Sequence, residues 1–286
     1  MGTGEYVLVG AVPGGGGAIE MVLEWVGRHG LVGETRVAPD AAGNLFVRLV
    51  FRSDRPEREL RDGFAAIGTQ WVARCEIHSL TRRPRVLVLG SQQTHCAADL
   101  LDRWANGRLD VEIAAVVSNH STLEPVAAAH GIPFTRLRID DTGPAEAEEE
   151  LRRLVKEHSA ELVVLARYMR ILSPQLCAWL DEHDVPAINV HHSLLPSFVG
   201  ARPYRQAATR GVKGVGATAH YVTAELDQGP IIAQQWRSAS HLARPGEADL
   251  ARLGRDAEVT VLAEAVQLHC QHRVLRADDG TTVVLG

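Results

Sequence analysis

"ELVVLARYMRILSPQLCAWLDEHDVPAINVHHS", from Glu161 to Ser193, decides the architecture of most of this 286-residue chain. LVVLARY reads as a strand, SPQLCAWLDEH as a helix and AINVHHS as a second strand. Strands that alternate with helices pair in parallel through right-handed crossovers. The alternation reaches upstream to Arg85. RVLVLGS is a buried-type strand, THCAADLLDRWANG a helix and VEIAAVVSN a strand; TLEPVAAAHG is a short helix, followed by a strand near FTRLR and the strong helix PAEAEEELRRLVKEH. Downstream, GATAHYVT and GPIIAQQW read as later strands and EADLARLGRDAEVTVLAEAVQLHCQ as a long helix. Residues 85–286 are therefore expected to form an α/β domain built on a doubly wound, mostly parallel sheet.

The first eighty residues follow a different order. YVLVGAV is a short strand, and in AIEMVLEWVGRHG the residues Ile19, Leu23 and Val26 recur at helical spacing before Gly30. LVGETRVAP and NLFVRLVFR make a hairpin about Asp40-Ala41-Ala42-Gly43. RPERELRDGFAAIG is a helix and WVARCEIHS a last strand. This βαββαβ order predicts a ferredoxin-like domain over residues 1–80, and the linker Leu80-Thr81-Arg82-Arg83-Pro84 separates it from the second domain.

Bulk properties exclude several classes of partner. A net charge of −5 gives no field that would recommend nucleic acid or an anionic membrane surface. No apolar run is long enough to span a bilayer, and the start lacks a signal-peptide pattern, so the cytoplasm is the expected compartment. Cys75, Cys96, Cys177 and Cys270 are scattered with no CxxC pair, which suggests neither a disulfide framework nor a zinc knuckle.

The chemistry gathers where AINVHHS ends. Side chains alternate along a strand, so Asn189 and His191 are expected on one face, with Val190 and His192 on the other. Ligands of doubly wound sheets bind beyond the carboxyl ends of strands, where an amide and an imidazole can both address one carbonyl oxygen. A carboxylate follows in "GATAHYVTAELDQGPIIAQ", with Asp227 on a turn between two apolar runs. It can hold a histidine protonated or draw a proton from water. Each group alone has a bland reading: Asn189 as a strand terminator, His191 as a core histidine, Asp227 as a turn-former. Their combination and spacing favour catalysis with an external nucleophile, since no serine or cysteine nucleophile lies close by. Adjacent strand residues diverge, which argues against a metal held by His191, His192 and His220, and no metal is expected.

The pattern NxHxSLLPxF, followed by a DxGPII turn, resembles the folate-dependent formyltransferase and hydrolase superfamily. "HCAADLL", "LDVEIAAVVSNH", "LVVLARYMRILS", "INVHHSLLPSFVGARPYRQA", "RGVKGVGATAHYVTAELDQGPIIAQ" and "LGRDAEV" carry the likeness from Arg85 to the C-terminus. It implies a formyltransferase-like fold preceded by an ACT-type regulatory unit. It also implies 10-formyltetrahydrofolate as substrate or one-carbon donor, in one-carbon metabolism linked to purine biosynthesis. Asn189 and His191 would bind the formyl oxygen, and Asp227 would act on the attacking water and sustain the histidine's charge. The pterin would lie along Met169, Arg170, Ile171 and Leu172 and along the turn with Val222, Glu225 and Leu226, paired mostly to backbone groups. His220 would stand behind the reacting groups, with a structural role equally open.

Within the superfamily the acceptor separates two activities. Transferases that serve a ribose phosphate carry a glycine-rich loop after the first strand of the sheet, whose backbone N–H groups cradle the phosphate. Here that place reads Leu89-Gly90-Ser91-Gln92-Gln93-Thr94-His95-Cys96, with a single glycine. Water then becomes the natural acceptor, and the His191-His192 and His95-Cys96 pairs are similar to the hydrolase branch, which releases formate and tetrahydrofolate. His95 and Cys96 would line the water side of the site, with packing an equal alternative for Cys96. Two departures leave room for a one-carbon transferase acting on a small acceptor in a specialised pathway. The first domain reads "VPGGGGAIE", without the acidic cap usual for the ACT unit, and Ser240 stands where an aspartate is usual. An oligomer is expected, associating through the ACT-type domain.

Overall fold

A computed structural model describes residues 3–15, 17–40, 42–68, 74–138, 143–197 and 203–286. β1 (Gly4–Pro13), α1 (Ala18–His29), β2 (Leu31–Pro39), β3 (Asn44–Ser53), α2 (Glu57–Gly68) and β4 (Arg74–Ser79) follow the βαββαβ order. The four strands form an antiparallel sheet ordered β2-β3-β1-β4. Tyr6, Leu8 and Val12 of β1 and Val47, Leu49 and Phe51 of β3 face a core shared with Val22, Trp25, Val26, Leu60, Phe64 and Ile77. The buried stripe of α1 is rotated from the expected one. Val22 and Trp25 are buried and Leu23 is exposed, because the Trp25 ring sits edge-on to Phe64 at 5.0 Å. Gly17, at φ 79°, opens α1 without a side-chain cap, as the missing acidic residue implies; Gly16 lies outside the described residues, as do residues 71–73, the expected start of β4.

The second part is built on apolar strands. β5 (Arg85–Gly90), α3 (His95–Ala105), β6 (Glu112–Ser118), α4 (Glu124–Ala129), β7 (Phe134–Arg136), α5 (Pro144–Glu157), β8 (Leu162–Ala166), α6 (Pro174–Glu182) and β9 (Ala187–His191) alternate as expected. α7 (Pro203–Thr209), β10 (Gly214–Tyr221), β11 (Ile231–Ser238) and α8 (Glu247–Cys270) follow. The sheet order is β11-β10-β9-β8-β5-β6-β7. The pairings from β7 to β9 are parallel, and β10 is antiparallel to both β9 and β11. β8 is buried along its whole length, as a strand covered on both faces must be. Leu87, Leu89, Leu151, Leu154, Leu165, Leu176 and Leu180 pack in this core.

The topology positions the site. From β5 the chain steps outward to β6 and β7, then returns to β8 on the opposite side of β5. That reversal opens a crevice between the loops after β5 and β8, where doubly wound sheets take their ligands. Gly90 closes β5 for packing: a Cβ there would lie 2.4 Å from Leu123 Cδ1.

The chain divides into two compact units, residues 1–83 with 268–286, and residues 84–267. Residues 268–286 thus fold with the first unit, whereas the expected second domain runs to residue 286. They form a hairpin of β12 (Val274–Arg276) and β13 (Thr282–Val284) about Gly280 at φ 81°. Arg48 Nε donates to the Gln271 carbonyl at 3.2 Å, and the His78 and His272 rings stack at 4.1 Å. Burial pushes the His272 imidazole down to about 3, aided by His78.

Candidate active site

β9 and β10 bring the expected groups together. Their antiparallel register sets Asn189 opposite His220 and His191 opposite Thr218. His220 Nδ1 is 2.8 Å from the Tyr221 carbonyl and therefore donates, which leaves Nε2 as an acceptor. The Asn189 amide nitrogen lies 3.3 Å from that Nε2. The contact engages one N–H of the amide, and the group carries a second donor for a ligand. Burial holds the His220 imidazole below its ordinary range, consistent with a neutral ring. A bulge in the β10–β11 pairing falls between Ala219 and His220, the kind of irregularity that re-aims a side chain beside a site.

The turn between β10 and β11 supplies the carboxylate. Asp227 Oδ2 lies 3.2 Å from His191 Nδ1, and Oδ1 lies 3.8 Å from His220 Nε2. The hydrogen bond from His191 is the largest influence on the Asp227 carboxyl and holds it below the usual carboxylate range, against the opposing effect of burial. Asp227 itself sits at φ 57°, a left-handed conformation that Asp tolerates better than most residues. Gly229 lets the turn close, since a Cβ there would stand 1.8 Å from the Tyr221 carbonyl oxygen. His191 is buried, and its Nε2 has no hydrogen-bond partner in the structure. A buried imidazole nitrogen without a partner is a group prepared for a ligand. The loop after β9 is tied to β10 by Thr218, whose hydroxyl donates to the Ser193 carbonyl at 2.8 Å and accepts from Leu195 N–H at 3.0 Å; residues 198–202 of that loop lie outside the described ones.

The segments expected to hold the pterin flank these groups. Met169 and Ile171 are 60% and 70% exposed after β8, and Leu226 is 58% exposed on the Asp227 turn, with Arg170 and Glu225 also exposed. Exposed apolar side chains around a crevice suit a flat aromatic ligand. Leu172 and Val222 face the other way, into the core beside Leu165 and Tyr168. Leu172 is buried and leaves only its backbone for a ligand, while Val222 is half-buried. Met169 N–H donates to Ser91 Oγ at 3.2 Å, which ties the loops after β8 and β5 together across the crevice.

Three expectations change. The strand ends at His191, so alternation stops there, and the His192 ring lies 5.0 Å from the His191 ring instead of on the opposite face. Burial, then Arg167 and His191, pushes the His192 imidazole down to about 4. Cys96 is buried and cannot line the water side; burial raises its thiol well above the ordinary range. His95 turns to a residue the sequence reading passed over, with Nε2 at 2.8 Å from Glu258 Oε2.

Glu258 is 1% exposed in the apolar stripe of α8. The Tyr204 hydroxyl donates to its Oε1 at 2.5 Å, and Arg167 Nε lies 3.3 Å from Oε2. Burial would raise its carboxyl, but His95, Arg167 and Tyr204 together keep it below the usual range. A carboxylate among Ala257, Val261 and Leu262 was the available signal for this cluster. The ligand atoms of His95, Cys96 and Glu258 lie within 4.8 Å of one another. With a guanidinium beside the same carboxylate oxygen and a thiol held protonated, the set suits internal hydrogen bonding better than a cation.

Residues 84–266 match the family model described as "Formyl transferase". The chain belongs to the formyl transferase family. Within that family it is 40% identical over 285 residues to a formyltetrahydrofolate deformylase from Corynebacterium sp. strain P-1, covering 98% of each chain. The crystal structure of a formyltetrahydrofolate deformylase from Pseudomonas syringae superposes with a TM-score of 0.92 at 40% identity, over 99% of this chain and 95% of that one. A phosphoribosylglycinamide formyltransferase from Anaplasma phagocytophilum shares 32% identity and a TM-score of 0.63, over 72% of this chain and 96% of that one. The Corynebacterium and Pseudomonas deformylases thus match the chain nearly from end to end, and the Anaplasma formyltransferase matches about seven tenths of it. Among the described residues no helix is long and apolar enough to cross a membrane.

Proposed function

We propose that the chain hydrolyses 10-formyltetrahydrofolate to formate and tetrahydrofolate. The observation that carries this reading is the buried His191, paired with Asp227 through Nδ1 while its Nε2 has no partner, on the strand that also carries Asn189. The free amide N–H of Asn189 and the Nε2–H of a protonated His191 bind the formyl oxygen and stabilise its developing charge. Asp227 supports that charge through its bond to Nδ1. Water attacks the formyl carbon, and Asp227 Oδ1 accepts the water's proton as the new C–O bond forms. When the C–N10 bond breaks, the proton passes to N10, giving formate and tetrahydrofolate. Met169, Arg170, Ile171, Leu172, Val222, Glu225 and Leu226 hold the pterin through exposed side chains and backbone groups. The end-to-end likeness to named deformylases supports water as acceptor over a transferase reading. Purified protein given 10-formyltetrahydrofolate and no amine is expected to release formate and tetrahydrofolate in equal amounts. Turnover that requires an added amine would overturn the reading.

We assign self-association to the βαββαβ unit, as an ACT-type module of a cytoplasmic enzyme. Its edge strand β2 leaves Leu31, Val32 and Val37 exposed, and an open apolar edge favours pairing with a copy. Sedimentation velocity should give a dimer or larger species; a monomer at every concentration removes this assignment.

A further inference from the structure

Building on the hydrolase reading, we propose that Glu258 is a specificity-determining residue whose carboxylate is a resident anion, seated where an acceptor's phosphate would otherwise bind. The crevice between the loops after β5 and β8 collects the features of an anion receptor. The eleven-residue helix α3 begins there at His95, and a helix start favours negative charge. Arg167, 7% exposed, stands at the end of the neighbouring strand, and its buried Nε makes no hydrogen bond. His95 contributes a ring nitrogen from the first position of α3. Both are turned on the carboxylate of Glu258, at 3.3 Å and 2.8 Å. The Tyr204 hydroxyl completes the set on the second oxygen. An anion receptor satisfied by an internal anion has this form.

Two further details show the arrangement is built. One helical turn before Glu258, a Cβ on Gly254 would lie 2.0 Å from the Tyr204 hydroxyl oxygen, so α8 gives up a side chain to admit that ring. Arg167 takes a left-handed conformation, φ 63°, unusual for arginine, in directing its side chain here. The cluster also borders the reacting groups. The His192 ring is 5.0 Å from the His191 ring and 5.8 Å from the Tyr204 ring. A phosphate-bearing amine approaching along this side would meet like charge, with the His95 and Tyr204 donors engaged by Glu258 and Arg167 paired with it. Water needs neither. The formyltransferases of the same fold are named for phosphoribosylglycinamide, an acceptor of the class this carboxylate would refuse.

The test is calorimetric titration of inorganic phosphate into wild type, Glu258→Gln, Glu258→Ala and Glu258→Asp. Wild type is expected to bind phosphate weakly or not at all. The Gln and Ala variants should bind it at least ~10-fold more tightly, the scale of one charge-assisted hydrogen bond regained. Adding Arg167→Met to Glu258→Gln should abolish the gain. Glu258→Asp, which keeps the charge and withdraws it by one methylene, should fall between wild type and Gln, and it decides the matter if Gln and Ala do not fold. Equal phosphate affinity in wild type and every folded variant overturns the proposal, as does a gain that survives Arg167→Met. Calorimetry reads binding without turnover, so failure of this proposal is separable from failure of the hydrolase reading.

Discussion

Asp227→Asn is expected to lower kcat by ~10²–10⁴-fold, with folate affinity changed far less. The size follows from two losses at one atom set. The carboxylate accepts from His191 Nδ1, and an amide oxygen in its place cannot sustain the charge on the ring while Nε2 serves the formyl oxygen. The water's proton also loses its acceptor. Asn tolerates the left-handed conformation of residue 227 at least as well as Asp, so the turn keeps its shape. Steady-state kinetics with a folate-binding control separate the effects. A loss below ~10-fold, or a loss confined to KM, would remove Asp227 from the chemical step and leave it a binding residue.

Much of this site was legible in the sequence because it sits on a strand end and a turn. AINVHHS alternates, so Asn189 and His191 share a face, and the antiparallel register then delivers His220 opposite Asn189. Asp227 is legible as the carboxylate directly before Gln-Gly-Pro, on the turn that joins two apolar runs. Alternation failed at His192 because the strand stops one residue earlier and the following bend redirects the side chain. The resemblance implies Leu172 and Val222 as pterin neighbours through backbone groups, and their side chains pack toward Leu165 and Tyr168, a direction that depends on core packing and not on local sequence. Glu258 and Arg167 escaped for a related reason. Each lies in an apolar context, a helix stripe and a strand end, and nothing local states that the two meet across 91 residues. Residues 268–286 fall in the second domain by the likeness that runs from Arg85 to the C-terminus, whereas Gln271 and His272 are held by Arg48 and His78, far earlier in the chain.

The burial of that missed pair sets the second large expectation. Arg167→Met should destabilise the fold by about 3–5 kcal/mol, the usual result of removing one partner from a buried ion pair. Glu258 then keeps its hydrogen bonds from His95 and Tyr204 but loses the only guanidinium in direct reach among the described residues. A carboxylate so desolvated rises in pKa above its unfolded value. The sign of the pH dependence follows. A raised folded-state pKa gives stability that is present below the unfolded value and lost as pH climbs through the folded one. The variant's deficit against wild type should therefore be largest at neutral pH and shrink on acidification toward the carboxyl range. Arg167→Met combined with Glu258→Met, which removes both charges and fills the space with thioethers, should recover most of the loss, so the double-mutant cycle gives a strongly non-additive coupling. Urea denaturation of the four proteins at neutral and mildly acidic pH measures each quantity. Additive losses in the two single variants, with no pH dependence in the Arg167→Met deficit, would show that guanidinium and carboxylate are neighbours without an energetic bond. The resident-anion reading of Glu258 would then lose its cationic half.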